Sequence, residues 1–285
     1  MGLAFGLQSP AAMRRTILCL ALLTTLSGVA AAGDKGLPPG SVRVKIDEKI
    51  ARGAMREALR KFHDASDMKL LEAKLPALAA GGDSKRIGRE VEHSFRKIRK
   101  PAKAVRSLLV WLDDRHDLEA VKDLRFARFV TELGKLDSAL GAGVEQEIAK
   151  RAKKTLAAMK GADFEADLAQ FTPTSNATFQ AYYDKQLEAL GKAIAPKTLS
   201  ARAFHDVRKV VRGLYFSMHF ADDAKSQGPA VEAAQSLLKK IGSDMAEVHE
   251  QQERAGLEGK LDYDKLEFEF PAGIRADIAR FLAAN

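Results

Sequence analysis

Apolar residues recur every three to four positions along most of this chain, the spacing that places them on one face of an α-helix. Glycine, proline or a helix-capping residue separates successive segments. Only residues 261–270 alternate apolar and polar side chains, which predicts a short extended segment. We therefore expect an all-α protein. The predicted helices are 45–63, 67–79, 85–112, 117–140, 144–159, 177–194, 200–220, 229–253 and 275–284.

The predicted helix 200–220 carries basic side chains beside its apolar face. Phe204, Val207 and Val211 begin the apolar stripe, and Ser200 is expected to cap the helix by accepting a hydrogen bond from a first-turn amide. Basic residues follow the neighbouring edge at helical spacings of three, four and seven. They are His205, Arg208, Lys209 and Arg212.

The same order of residues occurs earlier, in the predicted helix 85–112. A histidine is followed after two residues by Arg-Lys and after two more by another base, and further bases continue the edge: His93, Arg96, Lys97, Lys100, Lys103 and Arg106. Pro101 lies inside this helix and predicts a kink, because proline removes one helical hydrogen bond. A single basic edge is usually just a solvated surface, but two copies that both open with histidine predict one shared site.

The chain is expected to be exported. Arg14 and Arg15 precede an apolar run and the small residues 30–32, which is the order of a signal peptide over residues 1–32. The apolar run is too short to span a membrane comfortably, so the mature chain would have no transmembrane anchor. We expect a periplasmic or secreted protein with a linker at 33–43, helical bundles at 44–170 and 177–254, and a tail with a short helix at 255–285.

Charge and composition point to an anionic partner. The 285 residues carry a net charge of +8, and removal of the signal peptide leaves the chain basic. Nucleic acid fits this charge but not the export signal. The one cysteine lies in the signal peptide, so the mature chain can use neither disulfides nor thiolate chemistry.

We find no convincing enzyme motif in the sequence. There is no Gly-rich phosphate loop and no Gly-x-Ser-x-Gly. His249 stands beside Glu250 but lacks the paired spacing of a metal site, and Met218 and Met245 have core spacing rather than that of haem ligands. We expect no metal, no cofactor and no catalysis, and an unrecognised enzyme or cofactor carrier remains an alternative.

The two basic motifs resemble the CHAD family, the conserved-histidine α-helical domain. FHDVRKVVRGLYF with the leucine-rich helix after it is similar to the family's second half, and EVEHSFRKIRKPAKAVRSLLVWL is similar to its first. The resemblance implies two antiparallel, pseudo-symmetric helical bundles, basic helices around a shared cavity, and binding of inorganic polyphosphate. The matching residues are His93, Arg96, Lys100 and Lys103 in the first motif and His205, Arg208 and Arg212 in the second.

The chain also departs from the family pattern. Tyr215-Phe216 stands where a basic residue followed by tyrosine is usual, and Pro101 replaces another base. We expect non-catalytic binding of polyphosphate or a similar linear polyanion, tightened by protonation of the two histidines as the pH falls through their titration range, which is near 6.5 for unperturbed histidines. The alternative is a scaffold protein of the cell envelope that contacts anionic lipid or polysaccharide. The two differ in whether the basic edges converge or face opposite surfaces.

Overall fold

The structure is a computed structural model that describes residues 37–64, 68–160, 164–221, 228–257 and 265–285. The predicted signal peptide, residues 1–32, lies outside the described residues. The described chain is almost entirely helical, which confirms the all-α prediction. Its helices are α1 (Glu48–Asp64), α2 (Met68–Ala79), α3 (Ser84–Trp111), α4 (Leu118–Asp123), α5 (Arg125–Ala142), α6 (Glu145–Lys160), α7 (Phe164–Ala169), α8 (Asn176–Ile194), α9 (Ala201–Phe220), α10 (Pro229–Leu257) and α11 (Ala272–Ala284).

The helix expected over 117–140 is two helices, α4 and α5, separated by Leu124 in an extended conformation (φ −60°, ψ 139°). Each helix has its own cap. The Asp117 carboxylate accepts hydrogen bonds from the first-turn amides of α4, and the Asp167 carboxylate accepts one from the Phe126 amide at 2.6 Å. Because the second cap comes from a residue far along the chain, the break is fixed by tertiary contact and not by local sequence.

The extended segment expected near the C-terminus is present in part. Strand β2 (Glu267–Glu269) pairs antiparallel with β1 (Thr198–Ser200), with Leu199 opposite Phe268. Phe268 and Phe270 pack edge-to-face on Phe204 of α9, with ring centroids 5.2 Å and 5.6 Å away. This short ribbon therefore fixes the start of α9 against the tail. Ser200 caps α9 as expected, since its Oγ accepts a hydrogen bond from the Ala203 amide at 3.1 Å.

The buried apolar side chains form one continuous core that includes residues from both predicted bundles. Val42, Val44 and Ile46, which precede α1, are buried in it. The Val42 amide donates to the Ala284 carbonyl at 2.8 Å, so the end of α11 packs against the first described residues. The pseudo-symmetry of two bundles stays a prediction.

Four helices surround the predicted basic site. α3 contacts α5, α5 contacts α10, α10 contacts α9, and α9 contacts α3, which closes a ring. The contact between α3 and α9 is very close at Gly213, because the indole of Trp111 lies where any larger residue would place its Cβ. Gly213 is therefore required for these two helices to pack together.

Candidate functional site

The basic edges of α3 and α9 converge inside the ring of four helices. Both helices contribute half-buried cations, and these lower one another's pKa values. We call this group the basic cluster. It comprises Arg99, Lys103 and Arg106 of α3 with His205, Arg208 and Arg212 of α9.

The electrostatics of the cluster are those of like charges held close together. Burial, followed by the charges of Arg106, Arg208 and Arg99 in that order, lowers the pKa of Arg212 to about 9. The pKa of Lys103 is lowered well below its usual value, first by burial and then by Arg99 and Arg212. Burial and Arg99 also lower the pKa of Arg106. Each shift means that the charged form is disfavoured where it lies.

Helix α5 compensates this charge only in part. Asp137 forms an ion pair with Arg99, and both side chains are about three-quarters buried. Arg106 donates from Nη1 to the Thr131 hydroxyl at 3.0 Å. Lys103 and Arg212 make no hydrogen bond or ion pair to any residue that the structure describes. No described carboxylate therefore neutralises Lys103 or Arg212 by direct contact.

Histidine 205 lies against a second histidine, His249 of α10, with ring centroids 4.7 Å apart. Burial, then Lys209 and His249, lower the pKa of His205 to about 3. Its Nδ1 atom is buried and makes no hydrogen bond within the described part of the chain. The expected titration of His205 near pH 6.5 is therefore wrong for the free protein, because burial and nearby cations oppose a further positive charge.

The remaining predicted residues lie around the cluster. Lys97 and Lys100 are exposed on α3, and Lys209 is half-buried and donates to Asp206 at 2.8 Å. His93 and Arg96 belong to α3, but their side chains lie outside the described part. Their membership of the site stays a prediction.

Sequence reasoning did not find two of the residues that meet here. Arg99 lies four residues before Lys103 and seven before Arg106, so a search for helical spacing from Lys103 would have found it. In the sequence, His249 indicates only a possible metal ligand. Its approach to His205 depends on how α10 packs on α9, and no pattern within α10 alone predicts that contact.

A second polar site, outside the cluster, serves the fold. It lies where Asp113, Arg115 and Asp167 line a small pocket near α4. The Asp113 carboxylate accepts hydrogen bonds from the Arg115 side chain at 2.8 Å and 2.9 Å and from the Thr172 amide at 3.0 Å. Asp167 caps α5. These carboxylates fasten the 164–172 segment to the rest of the fold.

Two further findings concern the described residues as a whole. None of their His, Asp or Glu side chains gather in groups of three or more that could hold a metal ion. No helix in the described ranges has the length and apolar composition needed to cross a membrane.

Comparison of the chain with protein-family models, with curated proteins and with solved structures gives no match. The resemblance to the CHAD family therefore rests on the two basic motifs themselves. What the chain binds has to be argued from the geometry of the basic cluster.

Proposed function

We propose that the basic cluster binds inorganic polyphosphate or a similar linear polyanion, without catalysing a reaction on it. The observation that carries the proposal is the environment of Lys103 and Arg212. Both cations are half-buried among arginines and make no ion pair with a described residue. Titratable groups with strongly shifted pKa values cluster at functional sites, so these two cations indicate a binding site.

The energetics favour an anionic ligand in this place. Burying cations beside one another costs free energy, since water is partly removed and like charges repel. A bound polyanion reverses both effects, because each oxygen replaces lost water and supplies opposite charge. Arg99, Arg208 and Arg212 can each offer paired N–H donors to a phosphate, and Lys103 adds a compact point charge.

The geometry favours a defined site over a general basic surface. A scaffold protein that contacts lipid or polysaccharide would need its basic edges to face outwards. Here the edges of α3 and α9 meet inside a ring of helices and lower each other's pKa values. The side chains supply positive charge and N–H donors, which is sufficient for binding. With the signal-peptide pattern of residues 1–32, we propose that this binding takes place in the periplasm or outside the cell.

The test is a calorimetric titration of polyphosphate into the wild type, a cluster variant and a surface variant. Lys103→Met with Arg208→Gln removes two cluster charges. Lys153→Met with Arg52→Gln removes the same two charge types at exposed positions on α6 and α1. If each charge-assisted contact is worth about 1.5 kcal/mol, the cluster variant should lose roughly 100-fold in affinity. The surface variant should change by less than about 3-fold, and equal losses in both variants would refute the site.

A further inference from the structure

The basic cluster stops abruptly at one end. On α3, the positions three and four residues beyond Arg106 are Leu109 and Val110, and both are buried. On α9, the position four residues beyond Arg212 is Phe216, which is also buried. Because residues three and four apart share a helix face, the polar track of α3 ends in apolar side chains, and that of α9 ends at Phe216 and the half-buried Tyr215.

A helix–helix contact closes this same end. Trp111 is 4 % exposed, and its indole lies against Gly213, the residue directly after Arg212. A Cβ atom at position 213 would overlap that ring, so the two helices touch there with no room between them. A chain of phosphates cannot continue between α3 and α9 past Arg106 and Arg212.

The opposite end remains polar and open. Lys97 and Lys100 precede the cluster on α3 and are exposed, and Arg202 precedes it on α9 and is exposed as well. Exposed positive charge therefore continues beyond the cluster in this direction, towards the starts of both helices. The cluster has one closed end and one open end.

We propose that the cluster recognises the end of a phosphate chain, an inference that rests on the proposed polyanion binding. The terminal phosphate lies against Arg106 and Arg212, and the following phosphates pass Lys103 and Arg208 towards the open end. A terminal phosphate differs from an internal one in having a second ionisation, near pH ~6, and so carries close to two charges at neutral pH. An internal phosphate carries one.

The side chains at the closed end suit a terminal phosphate with two negative charges. Thr131 fixes Arg106 in place, since its hydroxyl accepts from Nη1 at 3.0 Å and donates to the Ala127 carbonyl at 2.9 Å. Arg212 lies close enough for Arg106 to be the first-named charge that lowers its pKa after burial. Two guanidinium groups beside each other can donate to several oxygens of one phosphate, which an internal phosphate with two free oxygens matches less well.

The test compares linear polyphosphates of one defined length with and without esterified terminal phosphates, using the full-length protein. The two ligands have the same internal phosphates and differ only at their ends. We expect the capped chain to bind at least about 10-fold more weakly, the effect of removing one charge-assisted hydrogen bond. Arg106→Gln should weaken binding of both chains, and it should reduce the difference in affinity between the uncapped and the capped chain.

Stoichiometry gives a second, independent readout. End recognition predicts two protein molecules per uncapped chain at saturation, whether the chain is short or twice as long. Equal affinity for capped and uncapped chains, or a number of bound proteins that grows with chain length, overturns end recognition while leaving polyanion binding intact. If neither chain binds in a way that depends on Lys103 and Arg208, both proposals fail.

Discussion

At the scale of single residues, Lys103 shows how function and stability oppose each other in this protein. The residue is half-buried, and burial together with four arginines lowers the pKa of its ammonium group well below the usual value. A charge in such a place is tolerated rather than stabilising, because removing water from it costs more than the described neighbours return. A neutral side chain of similar size should suit the folded protein better.

We predict that Lys103→Met raises the free energy of unfolding by about 1 kcal/mol while weakening polyphosphate binding. Methionine keeps the length of the side chain and removes the unpaired charge. Urea unfolding followed by circular dichroism measures the change, with Lys153→Met as an exposed control that should stay within about 0.5 kcal/mol. A marked loss of stability in Lys103→Met would show that this lysine supports the fold instead.

The lowered pKa of His205 predicts how the free energy of unfolding depends on pH. Its pKa is about 3 in the folded protein, lowered by burial and by Lys209, His249, Arg212 and Arg208, and its usual value is 6.5. Between these values the unfolded chain binds the proton more readily, so the free energy of unfolding falls as the pH falls below about 6.5. The loss between pH 7 and 5 should be on the order of 1–2 kcal/mol.

The measurement is urea unfolding at pH 7 and at pH 5 for the wild type and for His205→Gln. Glutamine cannot titrate, so its stability should fall less between the two pH values. Equal losses in the two proteins would mean that His205 is protonated as easily when folded as when unfolded.

The sequence predicts those residues of the cluster that recur at helical spacing along one edge of a single helix. Spacing identified Lys103, Arg106 and the α9 bases because each recurs on one edge of its own helix. It could not show that burial would hold His205 neutral, since that depends on α10 and its His249. The charge state of a side chain is a tertiary property.

At the scale of helices and strands, apolar periodicity predicted most elements. It failed where contact with a residue far along the chain determines the local structure. The helix expected over 117–140 breaks at Leu124 because Asp167 supplies a cap to α5. Alternation predicted strand β2 but not its partner β1, which lies about 70 residues earlier in the chain. Both features require contacts that no local pattern contains.

The approach of α3 to α9 predicts a strong effect of one methyl group. Gly213→Ala should destabilise the protein by about 2 kcal/mol or more, because its Cβ would overlap the rigid indole of Trp111. Gly242→Ala in α10 is the matched control. It has no neighbour within 4 Å and should stabilise the protein by about 0.5–1 kcal/mol, since alanine favours helix.

Thermal unfolding of both glycine variants tests this packing. A lower melting temperature for Gly213→Ala and a higher one for Gly242→Ala are expected. If Gly213→Ala unfolds like the wild type, the two helices lie further apart than the close contact requires, and the closed end of the cluster would be open.

At the scale of the whole molecule, the all-α prediction is confirmed, and the two pseudo-symmetric bundles stay a prediction. Composition and periodicity are sufficient to predict helices because each helix must bury its own apolar face. They do not show which helices meet. The described residues share one core, and the first of them pack against the end of α11, through the Val42 amide and the Ala284 carbonyl.

The signal-peptide pattern of residues 1–32 predicts where the mature protein begins. Arg14 and Arg15, the apolar run and the small residues 30–32 favour cleavage just before Gly33. Mass spectrometry of the protein secreted or exported by its host should give a mass that begins at Gly33. A mass that retains Met1 or Met13 would contradict cleavage of a signal peptide before Gly33.

The most direct test of the basic cluster is the salt dependence of polyphosphate affinity. Each cation that a substitution takes away from the bound phosphates should lower the slope of log affinity against log salt by about 0.7, since fewer counterions are released. We predict a slope lower by about 1.4 for Lys103→Met/Arg208→Gln and an unchanged slope for Lys153→Met/Arg52→Gln. Equal slopes for the wild type and both variants would contradict it, because the ligand would then be held by overall charge and not by these side chains.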